Sequence, residues 1–452
     1  MSDEAIAALI ERARALAAVA QDDAAKAIYI ELLRRDPTHF AALNELGTLA
    51  YASGHRSAAR TAYEQAVRCH PANPIGRVNL GNLLAEDGLI EAARAHYEAA
   101  LAADADIAEA HQGLARVLSE LGDEAAAAPH WQKGFAGRAV VTRRYRGTAP
   151  GVPILLLVSA RGGNIPTQQI LDDRVFAVCA LYAEFFDPAA ALPAHALVFN
   201  AIGDADLCGE ALSRAEAILR RSQAPVVNLP ARVRATGREA NAQRLGQLPG
   251  VVAPSIRLMT KADLAQARDL TFPLLLRAPG FHTGRHFVRA ERAEAIAGAA
   301  AALPGDALLA IEYLDARGAD GLARKYRVMI IDGALYPLHL AISQDWKVHY
   351  FTADMAADAA YRDEERRFLA DMPSVLGPRA MAALAAIGRA LRLDYAGVDF
   401  GLRVDGALLL FEANATMVIN PPDPDPIWDY RRAPIIAALD AAKRLLLAKA
   451  KR

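Results

Sequence analysis

The strongest constraint on this chain is a period of 34 residues in its N-terminal third. At this spacing small and aromatic residues recur in fixed columns, with no insertion between periods. A unit of this length holds two antiparallel helices, and one such pair cannot bury its apolar face alone. The pattern therefore predicts an all-α solenoid over residues 1–138. Its columns are Gly47 and Gly81; Gly54, Gly88 and Gly122; Ala25, Ala59, Ala93 and Ala127; and Tyr29, Tyr63, Tyr97 and Trp131.

This period resembles the tetratricopeptide repeat, and about four repeats are covered. Arrays of that family present a groove to a peptide or protein, so the resemblance implies a protein partner or, equally, self-association as a homodimer. Four polar residues are candidates for the groove unless they are ordinary solvated positions: Asn44, Arg77, Asn79 and Asn82. Residues 139–151 contain several Gly and Pro residues and are expected to form a linker.

Composition excludes several classes of protein. Lys and Arg total 51 against 52 for Asp and Glu, which argues against a nucleic-acid partner. The three cysteines are far apart, so a disulfide framework is not expected and a reducing compartment fits. No uncharged apolar run reaches the length of a membrane span, and the N-terminus is a poor secretory signal. We therefore expect a cytoplasmic protein with no membrane partner. Arginine outnumbers lysine by 43 to 8, a bias typical of a GC-rich bacterial genome.

Residues 152–235 alternate between short apolar runs and helical patterns. Strands are predicted at 152–160, 195–203 and 224–230, with helices at 169–186 and 207–222. This alternation predicts an α/β domain with a small parallel sheet. Because ligands of such sheets bind at the carboxyl ends of the strands, the loops 159–167 and 204–206 are candidate substrate contacts.

Residues 236–452 have the character of an α+β domain. Two hairpins are predicted around Asp332-Gly333 and Asp405-Gly406, since Asp-Gly is a strong hairpin signal. A helix is expected over 380–393, and residues 420–430 form a proline-rich segment.

The second hairpin carries an oxygen-rich group of side chains. Glu412 and Asn414 are two residues apart on one strand and therefore share a face of the sheet. The Asp405-Gly406 turn brings Asp399 of the other strand close to them. Burying two carboxylates between apolar strands is costly without a cation. Two carboxylates and an amide oxygen suit Mg²⁺, which completes its coordination with phosphates and water.

On these residues the chain resembles the ATP-grasp superfamily over about residues 150–440, and is most similar to carboxylate–amine ligases. In these ligases an Asp, a Glu and an Asn of the last hairpin hold two Mg²⁺ ions on ATP. The resemblance gives Asp399, Glu412 and Asn414 that role, with Mn²⁺ as an alternative metal. It also divides the chain into a solenoid, a linker, an α/β pre-ATP-grasp domain (152–235) and an α+β ATP-grasp domain (236–452).

The resemblance assigns the remaining nucleotide contacts in order along the chain. Arg238 and Arg277 stand where the family usually has lysine, and arginine keeps a permanent charge that binds phosphate. Arg327 takes the place of the arginine that contacts the γ-phosphate. The other implied residues are the phosphate loop Gly280, His282, Thr283 and Gly284; the adenine hinge Glu312, Tyr313 and Leu314; and Asp315 near the ribose. In the family, the loop that corresponds to the proline-rich segment 420–430 borders the acceptor pocket. His339, Lys347 and His349 follow the Arg327 strand, close to the expected phosphate end, and are candidate contacts to substrate or acyl phosphate unless the histidines are hydrogen-bonded structural residues.

The implied reaction is ATP-dependent ligation through an acyl phosphate. Arg327, Arg277 and Lys347 are the residues expected to act on the reacting groups. The substrates would be a carboxylate and an amine, each a small molecule or a peptide. Two alternatives remain open on the same residues: a kinase with a hydroxyl acceptor, and a non-catalytic nucleotide-binding scaffold.

Overall fold

The computed structural model describes residues 3–19, 21–280, 286–348 and 353–451. The chain divides into two compact units. One is Met1–Ala139 with Arg146–Thr148, and the other is Val140–Tyr145 with Ala149–Arg452. Within the described ranges, no helix combines the length and apolar character that crossing a membrane requires.

In its described residues the first unit is built from eight consecutive helices, which pack as antiparallel neighbours. Three of the turns between paired helices contain a glycine with a positive φ, namely Gly54, Gly88 and Gly122. The helices are α1 (Asp3–Ala18), α2 (Asp22–Arg35), α3 (Phe40–Ala52), α4 (Arg56–Cys69), α5 (Pro74–Glu86), α6 (Ile90–Ala103), α7 (Ala108–Glu120) and α8 (Glu124–Phe135).

The small and aromatic columns of the repeat pack against each other. A Cβ at Gly47 would lie 2.6 Å from the Tyr63 ring, and one at Gly81 would lie 2.9 Å from the Tyr97 ring. Both tyrosines are buried, Tyr97 completely. In these two repeats the glycine of the first helix therefore makes room for the tyrosine of the second helix, which explains why the two columns occur together.

The second unit begins with a five-stranded sheet of order β1-β3-β2-β4-β5. Strands β2 to β5 run parallel, and β1 joins the edge antiparallel to β3. The elements are β1 (Val140–Thr142), β2 (Val152–Val158), β3 (Phe176–Tyr182), β4 (Leu197–Asn200), α9 (Gly209–Leu219) and β5 (Val226–Val227).

The helix predicted over 169–186 is wrong, because this segment contains strand β3. β3 pairs in parallel with β2, and Val178, Ala180 and Leu181 are buried. A short apolar run buried on both faces has no clear period, so its sequence does not distinguish a strand from a helix. The small parallel sheet itself is present as expected.

Two further sheets complete the second unit. One has the order β7-β10-β8-β9 and the other β12-β11-β13-β14-β6. Their elements are α10 (Pro230–Arg234), α11 (Arg238–Leu245), β6 (Val251–Val252), β7 (Ile256–Thr260), α12 (Lys261–Gln266), β8 (Leu274–Arg277), β9 (Phe287–Ala290), α13 (Ile296–Ala301), β10 (Ala307–Glu312), β11 (Ala323–Ile331), β12 (Ala334–Ser343), α14 (Ala359–Ala370), α15 (Met372–Leu391), β13 (Tyr395–Leu402), β14 (Leu408–Asn414) and α16 (Arg432–Ala450).

Both Asp-Gly hairpins occur where the sequence predicts them. Asp332 and Gly333 have φ values of 50° and 77° and join β11 to β12. Gly406, with φ of 77°, lies in the turn between β13 and β14. Strand β13 is buried along nearly its whole length, so the polar residue within it, Asp399, needs partners inside the protein.

Candidate functional site

Three adjacent strands bring the charged residues of the candidate site together. In the antiparallel register, Asp399 of β13 lies opposite Arg327 of β11 on one side and Glu412 of β14 on the other. His339 of β12 lies opposite Arg327. Because side chains alternate along each strand, these four residues form one row across one face of the sheet.

Asp399 is buried, at 4% exposed, and is held by two cations. Arg327 Nε and Nη2 donate to its two carboxylate oxygens at 2.6 and 2.8 Å. Lys325 Nζ lies 3.1 Å from Oδ2. Burial alone would raise the pKa of Asp399, but Arg327 and Lys325 outweigh it and hold that pKa far below its usual range. Asp399 is therefore a permanent anion.

Glu412 and Asn414 interact next to Asp399. Asn414 Nδ2 donates to Glu412 Oε1 at 2.8 Å, and Arg238 Nη2 donates to the same oxygen at 2.7 Å. The Asn414 Oδ1 atom accepts from the backbone and hydroxyl of Thr416. Arg238 begins helix α11, and its backbone N–H donates to Asp206. Asp399 and Glu412 therefore each have an arginine partner. The spacing of these residues along the sequence did not predict the two pairs.

Arg277 and Lys347 extend the cluster of cations. Arg277 is buried at the end of β8, and burial together with the nearby Arg238 lowers its pKa to about 10. Burial and then Arg277 also lower the pKa of Lys347. Both cations lie over the Phe287 ring, at 5.6 and 5.9 Å from its centroid. His339 stays neutral, because burial and then Arg327 lower its pKa well below the ordinary value.

The hinge segment, residues 312–316, begins at the end of β10 and lies at one end of the site, among aromatic and aliphatic side chains. Glu312 is fixed by Ser255, whose backbone N–H donates to Oε2 at 2.9 Å. Tyr313 and Phe287 pack edge-on against Trp346, with ring centroids 6.3 and 5.5 Å away. Aromatic and aliphatic side chains of this kind suit the flat apolar faces of a planar ring such as a nucleobase.

A single cavity of about 450 Å³ joins the hinge to the charged row. A volume of this size is typical of a small-molecule site. Among the described residues, six cations and three carboxylates line it, so it favours an anionic ligand. The cations are Arg238, Arg277, Arg324, Lys325, Arg327 and Lys347, and the carboxylates are Glu312, Asp399 and Glu412.

The cavity includes most of the residues singled out in the sequence. Tyr313, Leu314, His339 and Asn414 line it together with the charged groups. Gly163 and Asn164, from the loop after β2, also line it, as does Asn420 of the proline-rich segment. The loop predicted to contact substrate and the segment predicted to border the acceptor pocket therefore line the same cavity as the residues predicted to bind the nucleotide.

Two parts of the predicted site differ from this arrangement. Asp315 is not among the described residues that line the cavity, and its carboxylate pairs with Arg317 at 2.6 Å. Gly280, with φ of 79°, lies at the end of the described segment and also does not line it. The predicted contacts His282, Thr283, Gly284 and His349 lie outside the described residues.

Lys325 and Trp346 line the cavity but were not among the residues predicted from the sequence. Lys325 could have been found from strand alternation, since it lies two residues before Arg327 on the same strand. Trp346 follows the end of β12, and its position depends on packing against Phe287, which sequence spacing does not reveal.

The donor atoms of the row fit a cation that binds together with an anion. Within the described ranges, no three His, Cys, Asp or Glu side chains converge as a metal site. The row instead offers two opposed carboxylates, Asp399 and Glu412, and one amide. A cation bound there would share the carboxylate oxygens with Arg327, Lys325 and Arg238. Mg²⁺ is commonly held by one or two carboxylates and takes its other oxygens from phosphates and water. The excess of cationic side chains nearby suits such phosphates.

Comparison with known proteins identifies the first unit. The tetratricopeptide-repeat family model matches residues 10–74, 44–106 and 78–139. The comparison with curated proteins found no match.

Solved structures similar to this chain include two forms of MamA from strain RS-1. "MamA 41-end from Desulfovibrio magneticus RS-1" is 24% identical over 28% of this chain and 72% of that chain, with a TM-score of 0.26. "MamA RS-1 ArsTM double mutant" is 22% identical over 30% of this chain and 75% of that chain, with a TM-score of 0.27. The family match confirms the prediction from the 34-residue period: the N-terminal region of this chain consists of tetratricopeptide repeats.

Proposed function

We propose that the second unit is an ATP-dependent carboxylate–amine ligase of the ATP-grasp type. The observation that carries the proposal is the single cavity that joins an apolar hinge to a row of opposed charges. A nucleoside triphosphate has the same division, with an apolar base at one end and concentrated negative charge at the other. The ATP-grasp resemblance and the cavity thus support the same ligand.

The base would lie against Tyr313 and Leu314, and the phosphates would extend toward Arg327. Arg238 and Arg277 would bind phosphate oxygens beside the row. Arginine binds such oxygens bidentately, and in a site shielded from water these contacts are stronger than at the surface. Mg²⁺, held by Asp399, Glu412 and Asn414 when bound, would supply further positive charge to the phosphates.

In the first step of the proposed reaction, a substrate carboxylate oxygen bonds to the γ-phosphorus while the bond from that phosphorus to ADP breaks. The products are an acyl phosphate and ADP. Negative charge is spread over the oxygens of the transferred group in the transition state, and Arg327 and Arg277 would stabilise it. Asp399 holds Arg327 in position through its two hydrogen bonds. The chain contributes positioning and charge, and no covalent nucleophile is needed.

In the second step an amine nitrogen bonds to the acyl carbon and inorganic phosphate leaves, with loss of the amine proton. The loop residues Gly163 and Asn164 and the segment around Asn420 border the cavity where the acceptor would enter. Lys347 would stabilise the departing phosphate. Its lowered pKa reflects partial burial beside Arg277, so an anion at this point is favourable.

The test is ATP-dependent formation of a hydroxamate. Hydroxylamine replaces the amine substrate and traps an acyl phosphate, so the full-length chain is assayed with Mg²⁺, ATP, hydroxylamine and a panel of amino acids and peptides. A ligase gives ADP, phosphate and hydroxamate in equal amounts for the true acid. ADP with a stable phosphorylated product and no hydroxamate would identify a kinase instead. Tight nucleotide binding without turnover across the panel would identify a scaffold.

We infer that the repeat unit contributes protein recognition to this reaction. Tetratricopeptide repeats are interaction modules, and their concave face offers polar side chains to peptides. Asn79 Nδ2 donates to Asn44 Oδ1 at 2.8 Å, which links two successive first helices. Capture experiments with residues 1–138 as bait distinguish a substrate or carrier protein from a second copy of this chain.

A further inference from the structure

Lys325 is a cavity cation that has no role in the reaction described so far. It lies on β11 between Ala323 and Arg327, and all three alternate residues line the cavity. Its Nζ is 3.1 Å from Asp399 Oδ2, and its side chain is only 15% exposed. Lys325 is therefore a largely buried charge that faces the ligand space.

Strand β11 connects the two ends of the cavity. Near its start, Ala323 forms a bridge with Arg317, which directly follows Ala316 of the hinge segment. Near its middle, Arg327 lies opposite Asp399. Since a strand advances about 3.3 Å per residue, Lys325 lies roughly 7 Å along the strand from each of these neighbours. It thus lies on β11 between the hinge segment and the charged row.

In number of charges, Arg327 alone balances Asp399. Arg327 already donates two hydrogen bonds to its carboxylate, and a bidentate guanidinium balances one negative charge. The next carboxylate in the row, Glu412, has its own arginine partner in Arg238. Lys325 therefore adds a net positive charge at a buried point, and such a charge is unfavourable unless an anion completes it.

We propose that Lys325 binds an inner phosphate of the nucleotide, between the nucleoside and the phosphate that is transferred. The proposal rests on the proposed function, because it requires a nucleotide along β11. The lysine ammonium has three donors, so it can keep its contact with Asp399 while it binds a phosphate oxygen. Arg327, one step further along the same face, serves the terminal phosphate.

Calorimetric titration of the full-length chain with ATP, ADP and adenosine in the presence of Mg²⁺ tests this assignment. Lys325→Gln is expected to weaken both ATP and ADP about tenfold or more, since one charge-assisted hydrogen bond is lost. Arg327→Gln, the matched variant on the same face, is expected to weaken ATP while leaving ADP nearly unchanged. Adenosine should bind equally to all forms, and Lys325→Arg should keep most of the ADP affinity.

The outcomes separate this inference from the function on which it rests. If the wild-type chain binds no nucleotide, the proposed function fails and the assignment fails with it. If the wild type binds ADP and Lys325→Gln binds it equally well, only the role of Lys325 is overturned. An equal loss for adenosine would also overturn it, because a phosphate contact cannot affect a nucleoside.

A measurement on the unmodified protein keeps the proposal testable even if Lys325→Gln does not fold. The chain has only eight lysines, so the acylation of each by an amine-reactive ester can be followed by peptide mass spectrometry. ADP, but not adenosine, is expected to slow the acylation of Lys325, while exposed Lys133 reacts at the same rate throughout. Equal acylation of Lys325 with and without ADP would contradict the contact.

Discussion

Arg277 shows why the chemical identity of a cation matters inside a buried cluster. Burial and the neighbouring Arg238 lower its pKa to about 10, yet arginine starts high enough to remain protonated at neutral pH. A lysine starts about two or more units lower. In the same surroundings it would lose its charge within the range of ordinary assays. The arginine at this position therefore has a physical advantage beyond any drift in genome composition.

Replacing Arg277 by lysine is expected to make activity dependent on pH. The cationic form of the lysine is lost as pH rises through its lowered pKa, so activity should fall on the alkaline side, by about tenfold per pH unit above that pKa. The wild type should decline less over the same interval, because Arg277 loses its charge at a higher pH than a lysine in the same surroundings. Initial rates of ADP formation between pH 6.5 and 9.5 check this. Superimposable profiles for the two proteins would show that the charge at 277 does not serve the reaction.

Glu412 carries the prediction on which the charged row depends most directly. Its replacement by alanine removes one of two opposed carboxylates and leaves Arg238 without its 2.7 Å partner. ADP formation is expected to fall about a hundredfold or more, as for the loss of other groups that organise charge in a transition state. The side chain is 25% exposed, so the fold should survive.

Asp405→Ala is the matched control for this change. Asp405 belongs to the turn of the same hairpin, but its side chain is 43% exposed and pairs with Arg379 and Arg403. The control should keep near-normal ADP formation, and thermal unfolding of both variants verifies folding. Near-normal turnover in Glu412→Ala would remove this residue from the site.

Among the secondary-structure elements, local sequence signals were sufficient to predict the hairpins but insufficient to predict every strand of the parallel sheet. The Asp-Gly turns specify their own geometry, so β11–β12 and β13–β14 follow from a few residues. Strand β3 lacks such a signal, and only its pairing with β2 distinguishes it from a helix. The partners of Asp399 illustrate the same limit, because cross-strand register, rather than spacing along one strand, brings Lys325 and Arg327 to it.

The contact between β13 and the hinge segment is an element-scale feature that can be tested. A Cβ at Gly401 would lie 2.6 Å from the Cβ of Ala316, an atom fixed to the backbone. Gly401→Ala is therefore expected to displace the hinge segment from β13. The expected results are a loss of about 1–3 kcal/mol in the free energy of unfolding and weaker ATP binding. Chemical denaturation and calorimetry measure the two effects.

Gly298→Ala provides the control for this substitution. Gly298 lies in helix α13, and an added Cβ there meets nothing within 4 Å. This variant is expected to gain about 0.5–1 kcal/mol, because alanine favours a helix over glycine. If Gly401→Ala binds ATP as tightly as Gly298→Ala does, the hinge segment does not depend on its contact with β13.

The whole chain consists of two compact units, which are specified by different kinds of sequence information. The 34-residue period specifies the repeat unit, because each column of small or aromatic residues recurs several times along the chain. The second unit is specified by register among non-local strands, which a single sequence reveals only in part. This difference explains why the repeat fold was predictable in detail and the composition of the charged row was not.

The division into two compact units leads to a last prediction at Gly81. An added Cβ there would lie 2.9 Å from the Tyr97 ring, and Tyr97 is completely buried and cannot move aside. Gly81→Ala is expected to lower the stability of the repeat unit by about 1–3 kcal/mol. ADP formation with small substrates should be unchanged, whereas capture of a protein partner should weaken. In calorimetric scans, Gly81→Ala should lower the transition temperature of the repeat unit only, and Gly401→Ala that of the second unit only. A shift of both transitions by either variant would mean that the two units unfold together.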